Sequence, residues 1–68
     1  MNATLYEVRQ NGSKAKGEVF TERHDAVGYA LMKATFGVGQ KVVRIDVGDE
    51  GRSETVIQSI KPRFTEEG

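Results

Sequence analysis

Lys41-Val42-Val43-Arg44-Ile45-Asp46-Val47 decides the architecture. Side chains alternate across an extended strand, so Val43, Ile45 and Val47 point one way while Val42, Arg44 and Asp46 point the other. This period of two reads as a strand, with Ile45 in the core. Downstream, Gly48-Asp49-Glu50-Gly51 turns the chain. A last strand runs from about Arg52 to Ile60, and Pro62 ends regular pairing because it has no N–H to donate.

Upstream lies a helix. Thr21 is the expected N-cap, and Glu22 and Asp25 place negative charge near the positive end of the helix dipole. Ala26, Ala30 and Ala34, with Leu31, Met32 and Lys33, supply helix propensity, and Gly37 supplies the stop. Gly28, in mid-helix, reads as a tolerated weak spot costing up to about 1 kcal/mol against alanine. Before the helix, Ala3 to Gln10 favours extended backbone through Leu5, Tyr6 and Val8, and Asn11-Gly12-Ser13 is a turn signal. A second strand follows from roughly Lys16 to Thr21, so the first hairpin carries Lys14 and Lys16 in its loop. The order is ββαββ: an α+β class, one domain over residues 1–68, with a core from about 3 to 61 and a tail over 62–68. Two hairpins side by side make a four-stranded antiparallel sheet in spatial order 2-1-3-4, with the helix packed on one face.

Composition narrows the function. A chain of 68 residues buries a modest core, so compensation is expected from disulfides, a metal or self-association. Cysteine is absent, which excludes disulfides and thiolate metal sites. His24 is the one histidine, so neither a metal nor another cofactor is expected, and a homodimer is the compensation left. Ten basic and ten acidic residues cancel, which gives no global attraction to nucleic acid or anionic membrane. No apolar run approaches the roughly 20 residues that span a bilayer, and a cytoplasmic location is the expectation.

At about 100° per residue, Ala26, Ala30 and Ala34 fall on one helix face with Val27 and Leu31. Tyr29, Met32 and Phe36 fall nearly opposite, flanked by Asp25 and Lys33. A single sheet layer cannot bury both stripes. The reading adopted buries the alanines and makes Tyr29, Met32, Lys33 and Phe36 a partner-binding surface, since exposed aromatic and Met side chains are enriched at interfaces. The alternative rotates the helix and leaves the alanines outside. Arg9, Lys14, Lys16, Lys61 and Arg63 are candidates for a basic patch facing phosphate or an acidic protein surface. Glu18, Glu66 and Glu67 lie nearby, and a solvated face is the commoner outcome for such lysines.

Catalytic constellations are missing. Gly37-Val38-Gly39 follows the helix instead of opening one, so it is a cap and a turn, not a phosphate loop. No GxSxG elbow or Cys–His pair occurs, and His24 and Asp25 are adjacent helix residues expected to point apart.

Leu5-Tyr6-Glu7-Val8, Gly17-Glu18-Val19-Phe20-Thr21, a helix with Ala26 and Ala30, and Val42-Val43-Arg44-Ile45-Asp46 follow one another in a layout that resembles the anti-CRISPR proteins. These are small phage-encoded inhibitors of bacterial defence. A type I-F member of similar length has a comparable order of strand, helix and Arg-Ile-acid strand, and the likeness covers most of the chain. It implies inhibition by binding a host protein complex, in the host cytoplasm, with basic side chains often occupying a nucleic-acid channel.

The leading expectation is a non-enzymatic protein-binding module acting on a host protein or complex. The alternatives are a small nucleic-acid binder using the Lys14/Lys16 loop and a sheet face, and a structural homo-oligomer subunit. Ile45→Asp is expected to unfold the domain by burying an unpaired charge, which circular dichroism checks; a native spectrum would remove Ile45 from the core.

Overall fold

The alternating segment becomes an inner strand of the sheet. The computed structural model describes residues 2–62, and in it strands β1 (Ala3–Gln10) and β2 (Glu18–Phe20) precede helix α1 (Arg23–Thr35), which precedes strands β3 (Gln40–Gly48) and β4 (Gly51–Ile60). All neighbours are antiparallel, in the order β2-β1-β3-β4, with the helix on one face. β1 and β3 form the centre, paired from Ala3↔Val47 to Gln10↔Gln40. The expected tail beyond Pro62, with Arg63, Glu66 and Glu67, lies outside the described residues.

The register sorts the two faces. Val8 and Val42 are paired and face the helix, where they pack with Ala26, Ala30, Ala34 and Ile60. Tyr6, Phe20, Val27, Tyr29 and Ile57 close over that cluster. The three alanines are fully buried, as the small-residue stripe predicts; short side chains let the helix approach the sheet closely. Beyond the reach of the helix, the same face turns polar. Thr4 donates to Asp46 at 2.8 Å, and Arg44 donates to the other carboxylate oxygen at 3.0 Å.

A register shift in the β3–β4 ladder separates Val42↔Gln58 from Val43↔Val56, leaving Ile57 as an extra residue on β4. An extra residue reverses the facing of everything after it. Val56 therefore stays on the face away from the helix, while Ile57 and Ile60 both reach the core.

Several local expectations need correction. β2 begins at Glu18, not near Lys16, because Gly17 is held by a different bond: its N–H donates to Glu7 Oε2 at 2.9 Å. The N-cap is Glu22, with no side-chain capping bond, in place of Thr21. Leu31 leaves the buried stripe and is exposed, since the buried arc spans only the three alanines and the partly covered Val27. Tyr29 turns the other way, to pack on Phe20 with ring centroids 5.3 Å apart. Gly37 ends the helix at φ 89°, donating to Ala34 O at 3.0 Å.

Two glycines should respond oppositely to alanine. Gly28 is exposed with open space around its Cα, so Gly28→Ala should raise stability by about 0.5–1 kcal/mol. At Gly17 a Cβ would overlap the Val8 carbonyl oxygen, so Gly17→Ala should lower stability by about 1–3 kcal/mol. Urea denaturation measures both; equal effects would contradict the packing described.

Candidate functional site: an exposed helix end and an open sheet face

Two apolar surfaces remain uncovered among the described residues. The first is the end of α1. Phe36, at the C-cap, is 75% exposed, and Met32, one turn earlier, is 47% exposed. Tyr29 continues the stripe inward, and the Lys33 ammonium sits 5.9 Å from its ring centroid. The set expected to bind a partner is thus graded: Met32 and Phe36 project outward, while Tyr29 and Lys33 are half-buried and brace them. The backbone beneath is fixed by Phe36 N–H donating to Lys33 O at 3.1 Å.

The second surface is the sheet face opposite the helix. Strand pairing sets Val19, Glu7, Val43 and Val56 in one row across all four strands. Beside it run Leu5, Ile45 and Glu54, then Ala3, Val47 and Arg52. Val19, Val47 and Val56 are exposed, yet Val43 and Ile45 are only 1% and 4% accessible. A chain of ion pairs spans the same face. Arg9 donates to Glu7 on its own strand at 2.8 Å and pairs with Glu54 on β4 at 3.1 Å, so the ion pair bridges β3. Arg52 closes the chain of charges, 2.9 Å from Glu54.

These contacts move the carboxyl groups. The Arg9 guanidinium holds Glu7 below the ordinary glutamate value, burial opposes it, and the Gly17 N–H lowers it further. Arg9, then Arg52, lowers Glu54 in the same way. On the helix side the Thr4 hydroxyl, then Arg44, lowers Asp46.

The basic residues divide. Arg9 and Lys16 come together on a groove of about 310 Å³ with Leu5 and Ile45 in its lining and Val19 and Val47 beside them. Arg9 is committed to carboxylates there. Lys14 stands exposed in the hairpin loop, Lys61 lies just past β4 and outside that groove, and Arg63 is outside the described residues. Of the five, Arg9 is tied to Glu7 and Glu54, which leaves Lys14, Lys16 and Lys61 among the described residues as the patch candidates.

His24 and Asp25, expected to point apart, meet at 3.3 Å in the exposed first turn of the helix. No cluster of three or more His, Asp or Glu side chains among the described residues has metal-holding geometry. The ion-pair network of the open sheet face was not anticipated, although its signal was present. Glu7-x-Arg9 and Arg52-x-Glu54 each put opposite charges two residues apart, hence on the same side of a strand.

Comparison of the chain with protein-family models, curated proteins and solved structures found no match.

Arg9→Met removes the first cause of both glutamate shifts and leaves buried Glu7 with only the Gly17 N–H, which should cost about 1–3 kcal/mol at neutral pH. A carboxylate lowered on folding stabilises the protein above its unfolded value and loses that contribution as pH falls through the folded value. With an ordinary glutamate value of 4.5, the gap between wild type and Arg9→Met should shrink below that pH. Denaturation series between about pH 7 and 3 test this, and a pH-independent gap would contradict it.

Proposed function

We propose that this chain is a small, non-catalytic protein-binding module that docks through the C-terminal end of its helix. Phe36 carries the reading: it is 75% exposed at a backbone position fixed by two hydrogen bonds, one from its own N–H and one from that of Gly37. A phenyl ring left in water gains free energy when a partner covers it, and aromatic side chains dominate interface energetics. Met32 extends the apolar area along the same side of the helix, one turn away. Its flexible thioether adapts to an irregular partner surface.

The partner is a host protein or complex with an apolar recess. The anti-CRISPR-like layout supports placing the chain among accessory proteins of phages or mobile elements that inhibit such a complex. Contact alone suffices for that role. Glu7, Arg9, Arg52 and Glu54 of the open face are already committed to one another, and the exposed Met32 and Phe36 at the helix end are apolar.

Met32→Asp and Phe36→Asp should fold like the wild type, because neither side chain contributes to the core cluster. Affinity capture from bacterial lysate should recover a discrete protein with the wild type, and recovery should fall at least about tenfold with either variant, as for a hot-spot loss. Capture of nothing by folded wild type, or undiminished capture by both variants, would refute the helix end as the contact surface.

A further inference from the structure

We propose that the open sheet face is covered by a second copy of this chain, packed face to face about a dyad that runs parallel to the strands between β1 and β3. The proposal concerns a different surface from the helix end and stands independently of it.

The register makes this face complementary to itself. A two-fold axis along the strands, midway between β1 and β3, sets β1 over β3 of the second copy and β2 over β4. Row by row, Val19 then meets Val56 of the second copy, Leu5 meets Ile45, Ala3 meets Val47, and Glu7, already paired with Arg9, lies over Val43. Val19 and Val56, at the two ends of their row, are 51% and 53% exposed. The dyad brings those two positions together twice, once on each side of the axis, as an isologous interface requires. Strand axes stay aligned in this arrangement, with each strand facing one that runs the other way, as aligned sheet packing allows.

Charge agrees with the same occupant. Glu7, Arg9, Glu54 and Arg52 neutralise one another within one copy, so a covering surface need bring no counter-charge. Glu7 also accepts from Gly17 N–H, so its acceptors are occupied before anything docks. Covering a paired, hydrogen-bonded network costs far less than covering free ions. The dyad also sets Arg9 over Lys41 of the second copy. Arg9 is already neutralised, and lysine at the end of β3 carries its ammonium past the rim to water.

Size sets the strength. Strands of 8, 3, 9 and 10 residues, about 4.8 Å apart and rising about 3.3 Å per residue, make a face of roughly 450–500 Å². Covering it in both copies removes on the order of 700–950 Å² from water, the size of a weak, reversible association. A 68-residue chain without cysteine gains most from such burial.

Sedimentation velocity on the full chain over a range from about 1 to 500 μM should show a monomer–dimer equilibrium, with the thermal midpoint rising with concentration. Val19→Asp and Val56→Asp should each weaken the dimer at least about tenfold, and because both side chains are half-exposed the monomer should retain its circular dichroism spectrum. The dyad itself is read by crosslinking, helped by the absence of native cysteine. Val19→Cys and Val56→Cys proteins, mixed and oxidised, should form a disulfide between the two variants, and neither variant alone should crosslink to itself. A monomer at every concentration overturns the second copy as occupant while leaving the helix-end reading intact. A dimer in which each variant crosslinks to itself, or the mixture does not crosslink, overturns the dyad.

Discussion

The Arg9 guanidinium, held between Glu7 on β1 and Glu54 on β4, solves the main difficulty of this fold. A sheet with a helix on one side has no second layer for its other side. Here an ion pair that bridges β3 takes part of that role, on the face where Val43 is almost inaccessible. The aliphatic stem of Arg9 adds apolar cover while its head ties the strands on either side of β3 together. The same network holds the first hairpin loop, because Glu7 also accepts from the Gly17 N–H. Losing Arg9 would therefore loosen an outer strand, a loop and the sheet centre together.

On the helix side, closeness replaces bulk. Alanines at 26, 30 and 34 set the helix near the sheet, and larger residues from β1, β2 and β4 close around the seam. The register shift at Val42/Val43 makes β4 serve both faces, with Val56 on one and Ile57 and Ile60 on the other. The two sides thus differ in kind: a dry seam of small and aliphatic groups against the helix, and aliphatic rows partly screened by ion pairs opposite. That difference leaves the exposed valines in ordered rows, away from the exposed Met and Phe of the helix end.

Much of this was legible from residues 41–47 and the turn signals around them, which give the strand count, the element order and the sheet order. Alternation is a local property that survives folding, so β3 read cleanly. The helix was read less well, because periodicity gives the angles between side chains and not which angle points at the sheet. Tyr29 and Leu31 both lie just outside the alanine arc, and neighbouring packing decided them: Phe20 draws Tyr29 inward, while Leu31 is left exposed. The role of Arg9 depends on Glu54, distant in sequence, and no spacing rule encodes that meeting. The extra residue on β4 is equally hidden, since Ile57 and Ile60 read as alternating strand positions until the bulge is seen.

The two hairpins also differ in how their ends are brought together. Gly48 pairs with Gly51 across only Asp49 and Glu50, and Gly51 takes φ 122°, so β3 and β4 are joined by one of the shortest connections available. β1 and β2 are separated by a longer loop, and β1 meets β3 only after the helix intervenes. Short loops close with little loss of chain entropy, and hairpins of this kind form in about 1–10 μs. The C-terminal hairpin therefore has the smaller closure cost, and the β1–β3 pairing, between residues 30 to 44 positions apart, the larger. The centre of the finished sheet is thus its least local contact, the kind that raises contact order and slows folding across small domains.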